Sequence, residues 1–134
     1  MKLNLLLLVI ILCGLLVIGC SGSAKKGILE GNVHIGPVSP VEQQNQDTTL
    51  RCDVYDARKI MVYDKSGKKL IKQVDIECNS EENYARYRVE LAPGTYTVDI
   101  NHIGIDSSSD VPKRVEIQSG ITVILDIDID TGIR

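Results

Sequence analysis

The 134-residue chain reads as an all-β protein, a single antiparallel β-sandwich of about seven strands, behind an apolar N-terminal segment. Three observations carry that reading. Apolar residues alternate with polar ones in short runs, the period of a strand with one face buried. Turn-forming Gly, Pro, Asn and Asp residues punctuate the chain roughly every 8 to 12 residues. No stretch has the i, i+3, i+4 apolar spacing of an amphipathic helix.

The first expected strand has Leu29, Gly31, Val33 and Ile35 alternating with Glu30, Asn32 and His34. Gly36-Pro37 ends it, and Pro40 keeps the following segment irregular. Residues 41–50 (VEQQNQDTTL) are polar and lack a period, which predicts a surface loop. Lys59 to Tyr63 is the next strand, and Asp64-Lys65-Ser66-Gly67 turns it into a return strand over Leu70 to Ile76. After a polar turn over Asn79 to Asn83, Tyr87, Val89 and Leu91 alternate with Arg86, Arg88 and Glu90. Ala92-Pro93-Gly94 is a tight turn, because Pro presets φ at one central position and Gly permits positive φ at the next. Tyr96, Val98 and Ile100 carry the following strand, and residues 101–110 (NHIGIDSSSD) form a polar loop. Val111 to Ile117 and Ile121 to Ile129 close the domain through a turn at Ser119-Gly120. With no Phe or Trp, the core must come from Ile, Val, Leu and a few Tyr.

Met1-Lys2-Leu3-Asn4 and the apolar run from Leu5 to Ile18 have the charged start and apolar body of a secretory signal peptide. A spanning helix needs about 18 to 20 apolar residues, and Lys25 and Lys26 follow on the side to be translocated. Cleavage is therefore expected. Val17-Ile18-Gly19-Cys20 resembles a lipobox, the processing site of prokaryotic lipoproteins. The resemblance implies cleavage before Cys20, a diacylglyceryl thioether on its sulfur and a further acyl chain, such as palmitate, on its amino group. Two or more chains anchor stably, since each buried CH₂ contributes about 0.8 kcal/mol. An ordinary signal peptide with an incidental cysteine is the alternative. The expected organisation is a signal peptide over 1–19, a lipidated tether over 20–26 and the sandwich over 27–134. The domain would then sit outside the cytoplasm, anchored to the cell membrane or an outer membrane.

The net charge of −3, without a basic stripe, gives no support for nucleic-acid binding. Of the four cysteines, Cys13 leaves with the signal and Cys20 carries lipid. Cys52 and Cys78 remain in an oxidising compartment, where disulfides persist. A bridge closing a loop of about 26 residues stabilises by about 3 kcal/mol. Two free thiols or two metal ligands are the other readings, and neither cysteine has a second Cys or a His at ligand spacing.

Leu91-Ala92-Pro93-Gly94-Thr95-Tyr96 resembles the L-x-P-G-x-Y segment of transthyretin-like sandwich domains, including the carboxypeptidase regulatory-like and collagen-adhesin B-type families. In such folds the aromatic after the turn packs under the sheet corner. Gly31-Asn32-Val33 with Gly36-Pro37-Val38-Ser39-Pro40-Val41, and the ending Asp130-Thr131-Gly132-Ile133-Arg134, resemble a group of short secreted proteins. That group has a G-x-V-x-x-G-P-x-x-P-V opening and a D-T-G-I-R end. The resemblance spans Gly27 to Arg134 and implies fold and export, but no activity. Its members often carry Cys where this chain has Ser39, so the disulfide partner differs here.

Four features are candidates for chemistry. Asp126, Asp128 and Asp130 put three carboxylates on one strand face, about 6 to 7 Å apart. Charges so close need cross-strand cations or a hard ion such as Ca²⁺. Thr131 stands where a calcium loop has Gly, which favours a solvated strand face over a metal. Lys65, Lys68, Lys69 and Lys72 cluster on one hairpin, either to meet anionic headgroups or a polyanionic envelope polymer or, the favoured reading, to keep an edge from pairing. His34 and His102 are the only histidines, each with an apolar neighbour in the chain and without a nearby ligand partner. The loops 36–53 and 101–110 lie at sandwich ends, where binding usually sits. With no nucleophile elbow, Cys-His signature or paired metal motif, neither an enzyme nor a cofactor is expected. The expected function is a membrane-tethered, non-catalytic binding or structural module of the cell envelope, its partner a protein or an envelope polymer. A small inhibitor or sensor of a secreted enzyme, acting through those loops, is the alternative, and a hydrolase comes last.

Overall fold

The computed structural model describes residues 22–39 and 50–134. The 1–19 segment, Cys20 and nearly all of the 41–50 loop lie outside the described residues. The described chain forms nine strands: β1 (Gly27–Gly36), β2 (Lys59–Tyr63), β3 (Leu70–Asp75), β4 (Glu77–Asn79), β5 (Tyr84–Leu91), β6 (Gly94–Ile100), β7 (Lys113–Ile117), β8 (Thr122–Ile124) and β9 (Ile127–Asp130). One sheet runs β4-β5-β1, with β8 and β9 end to end along the other side of β1. The second runs β3-β2-β6-β7.

The alternation read from the sequence decides which side chains face inward. Leu29, Val33 and Ile35 of β1 are buried, while Asn32 and His34 are exposed. Tyr87, Val89 and Leu91 of β5 extend the same layer, and Ile60, Val62, Val98, Ile100, Val115 and Ile117 face it from the second sheet. Each such aliphatic side chain contributes about 1.5–3 kcal/mol on burial. Tyr87 is the largest fully buried side chain, and its hydroxyl donates to the Leu125 carbonyl at 2.7 Å. Burial, and next the charge of Asp126, push its pKa up. Tyr96 follows the 92–94 bend, and its hydroxyl donates 2.8 Å back to the Ala92 carbonyl, pinning that corner.

Pairing is antiparallel as expected, except along one edge of β1, which runs parallel to β8 and β9. The path of the chain requires this. β7 ends beside the start of β1, and the tight turn that follows delivers the chain to β1's free edge, so it must run the same way. Gly120 N–H donates to the Lys26 carbonyl at 3.1 Å, and Ile28 N–H to the Ile121 carbonyl at 2.9 Å, sealing that junction.

The stretch expected as one strand over Ile121 to Ile129 divides at Leu125-Asp126, although its register against β1 does not slip: Leu29 faces Val123 and Val33 faces Ile127. Gly31 lies opposite the break, where a Cβ would stand 1.9 Å from the Leu125 carbonyl oxygen. Glycine alone admits that approach. The Asp126 carboxylate then accepts the Asn32 backbone N–H at 2.7 Å, in place of a ladder carbonyl. The return strand likewise stops at Asp75, and after Ile76 the chain crosses to the other sheet as β4.

These directions give the sandwich two poles, separated by the ten residues of β1, about 30 Å. At the proximal pole lie the exposed residues 22–26, the 118–121 turn and the bend before β6. The β2–β3 hairpin points the same way, since Ile60 pairs with Ile100 and Tyr63 with Thr97. At the distal pole lie the chain after Gly36, residues 50–58, residues 101–112 and the 131–134 end.

Candidate binding cleft at the distal pole

Segments far apart in sequence meet at the distal pole. A disulfide joins Cys52 to Cys78 with the Cα atoms 5.5 Å apart, tying residues 50–58 to the edge strand β4. A single 3₁₀ turn over Cys52–Val54 then leads to Tyr55, which is buried in the core. Arg58 N–H donates to the Tyr55 carbonyl at 3.0 Å, and this second turn aims the Arg58 side chain inward. Its guanidinium grips Asp106 through two bonds, Nε at 2.7 Å and Nη2 at 3.0 Å, while Nη1 donates to the Val54 carbonyl at 2.6 Å. The two side chains are 15% and 5% exposed, so water screens the pair weakly. Asp106 arrives on a tight turn in which its N–H donates to the Ile103 carbonyl at 2.9 Å and Gly104 takes φ +58°.

Above this ion pair is a cleft of about 290 Å³ walled by Ile35, Val38, Val54, Ile103, Ile105 and Ile133. Ile105 is 72% exposed at its rim. Ligand clefts span about 300–1,000 Å³, so this one suits one or two apolar side chains. Val38 of the 36–53 loop and Ile103 to Asp106 of the 101–110 loop therefore line one site. The chain's signature ends also meet here. Thr131 N–H donates to the Gly36 carbonyl at 3.1 Å, and the Thr131 hydroxyl donates to the Pro37 carbonyl. Gly132 takes φ +71°, where a Cβ would come within 2.5 Å of Ile105. Gly36-Pro37 and Asp130-Thr131-Gly132 thus form one clasp under the cleft.

The three aspartates are brought to one strand edge, each with its own partner. Asp126 holds Asn32, Asp128 lies 2.8 Å from His34 Nδ1, and Asp130 accepts from Arg134 Nη2 at 2.9 Å and from Gly132 N–H at 2.8 Å. The Arg134 guanidinium, with the Gly132 N–H, lowers the Asp130 pKa to about 2. Among the described residues, no three His, Cys, Asp or Glu side chains are placed to hold a metal.

His34 and Asp128 line a second hollow, about 430 Å³, with Ser107, Ser108 and Ser109. Sequence reasoning did not foresee that meeting. The His34 and Asp128 side chains are 76% and 73% exposed, so water screens the pair. His102 has a bracing position, with Nε2 3.0 Å from Asp99 Oδ1 and Nδ1 3.2 Å from the Asp106 carbonyl. Lys65, Lys68 and Lys69 sit exposed at the proximal hairpin tip, far from the cleft, and Lys72 lies on β3, an edge strand. Lys72 pairs with Val62 and is exposed, and a charged residue on an edge strand resists further strand pairing.

No protein-family model matches the chain, and no curated protein matches it in sequence. Among solved structures it is similar to GBS52, the minor pilin of the gram-positive pathogen Streptococcus agalactiae, at 13% identity and a TM-score of 0.48. The match covers 80% of this chain and 45% of that one, so the chain spans less than half of the pilin's length. A likeness at this level assigns no function.

Proposed function

We propose that this chain is a membrane-tethered, non-catalytic module of the cell envelope, lipid-anchored at Cys20, whose distal cleft takes an apolar anchor from a partner protein. One observation carries the reading: Val38, Val54 and the 103–106 turn close an apolar cleft at the pole opposite residues 22–26, the side the tether enters. Supporting it, the Arg58–Asp106 pair and the Cys52–Cys78 bridge hold that cleft in shape before any partner arrives. Preorganisation of this kind lowers the ordering cost of binding. Filling the walls with one Leu-sized side chain contributes about 1.5–3 kcal/mol, and Ile105 is placed to close over it.

A photo-crosslinker at Ile103, in cells making the full chain, tests the site. Capture of one discrete envelope protein, lost in Ile105→Asp, is the expected result. Capture unchanged by Ile105→Asp removes the cleft from the proposal. If the captured partner is a secreted protease or hydrolase that is silenced on binding, the inhibitor reading replaces the structural one. Intact mass of the membrane-extracted protein checks the anchor separately: the expected species begins at Cys20 and carries acyl chains.

A further inference from the structure

The proximal pole carries a charge pattern that the cleft does not use. Arg51, Arg58, Arg86, Arg88 and Arg134 each pair with a carboxylate. Among the described residues, no carboxylate lies within ion-pair reach of Lys25, Lys26, Lys65, Lys68 or Lys69. These five lysines all belong to the pole where residues 22–26 enter the sandwich. Lys25 lies against Gly120 of the 118–121 turn, its Nζ 3.6 Å from where a Gly120 Cβ would stand. The other three occupy the hairpin tip, whose shape is set by Asp64. Its carboxylate accepts from Ser66 Oγ at 2.7 Å, Lys68 N–H at 3.2 Å and Lys69 N–H at 3.3 Å, so the one acid of the tip is spent on the turn. Exposed apolar groups accompany the lysines. Ile121 is 51% exposed, and Leu70 and Ile71 are 45% and 46% exposed just past Lys69.

We infer that the proximal pole is a membrane-resting face: Lys25, Lys26 and the Lys65, Lys68, Lys69 tip meet anionic lipid headgroups and hold the sandwich upright, with its cleft directed away from the bilayer. Unpaired ammonium groups beside exposed Ile and Leu are what an interfacial surface requires. The inference rests on the lipid-anchored reading, because only an anchored chain keeps this pole at a membrane. Six residues separate Cys20 from Gly27, a reach of about 25 Å when extended. That leash lets the pole reach the headgroups, and its lysines sense the surface charge once they come within a Debye length, about 8 Å. Asp128 and Asp130 of β9 lie towards the other pole, opposite His34 and Gly36.

The test uses the full, acylated chain in vesicles, labelled from outside with an impermeant amine reagent and read peptide by peptide. Vesicles of phosphatidylcholine alone are compared with vesicles to which phosphatidylglycerol is added. With the anionic lipid, Lys65, Lys68 and Lys69 should label about threefold more slowly or less, and salt of about 1 M, where the screening length falls to about 3 Å, should restore the rate. Lys113, exposed at the distal-side end of β7, should keep one rate throughout. Equal labelling of the tip in both vesicles, or equal slowing of Lys113, overturns the inference for an acylated chain. If intact mass shows Cys20 without acyl chains, the anchor reading falls and this inference with it. Lys65→Gln/Lys68→Gln/Lys69→Gln supplies an independent check. With the upright pose lost, Lys113 should slow in anionic vesicles, and an unchanged rate counts against the inference.

Discussion

The two poles of this sandwich are built by opposite means. At the distal pole, long segments cross and are tied together by a disulfide, a buried two-bond ion pair and the clasp of the C-terminal end on Gly36-Pro37. At the proximal pole, short turns join one strand to the next, and among the described residues five lysines have no ion-pair partner. The difference teaches where long-range contacts are needed. Short turns are specified locally by Gly and Asp, so they leave their cations free for an outside surface. Long loops have no such local rule, and their ordering entropy is offset by cross-links and paired charge.

The largest effect that sharpens this contrast is expected at Arg58. Arg58→Ala leaves Asp106 buried without its partner and should cost about 3–5 kcal/mol, seen as a lower urea midpoint. Replacing both residues with apolar ones, Arg58→Met with Asp106→Leu, should recover most of that loss. A cost under about 1 kcal/mol for Arg58→Ala shows that the distal pole is not organised round the pair. Next in size, Cys52→Ser with Cys78→Ser should cost about 3 kcal/mol. Hydrogen exchange should quicken most over residues 50–58, and an even increase across both sheets breaks the local account.

At the proximal pole the expected losses are smaller. Gly67 sits at φ +73°, where a Cβ would meet only the Thr97 side chain, at 3.6 Å. Gly67→Val should therefore cost about 1–2 kcal/mol, from backbone strain alone, and a melting curve measures it. Lys65→Gln/Lys68→Gln/Lys69→Gln should leave stability within about 0.5 kcal/mol, since no partner is lost. A larger drop reveals a contact that the tip makes within the fold. The most local effect concerns pH at the clasp. The Asp130 pKa is lowered to about 2, so its contribution is complete above the unfolded carboxylate value of about 4 and disappears as pH falls towards the folded value. The Gly132 amide shift followed by NMR should titrate with a midpoint of about 2; a midpoint at the ordinary carboxylate value removes Arg134 from the clasp.

Much of this architecture is legible in the chain, and the illegible parts share one cause. The alternation from Leu29 to Ile35 identifies the buried face of β1 because side-chain direction along a strand is a local property. That same alternation is identical for parallel and antiparallel partners, so it is silent on the edge β1 gives to β8 and β9. Gly31 reads as a small inward residue, and only the approach of Leu125 reveals why no side chain fits there. The spacing of Asp126, Asp128 and Asp130 shows that charge needs compensation. It does not show that Asn32, His34 and Arg134 supply it.

Taken alone, the residues determined an all-β sandwich, the inward face of most strands, the hairpin at Asp64–Gly67 and the pairing open to Cys52 and Cys78. These follow from period, turn chemistry and the number of cysteines, each acting over a few residues or on composition. Tertiary structure alone decided that Arg58 meets Asp106 across 48 positions, that the two ends of the domain clasp each other, and that Val38 and the 103–106 turn wall one cleft. Contacts of that range depend on how whole strands are threaded between sheets, and no local pattern records a path through space.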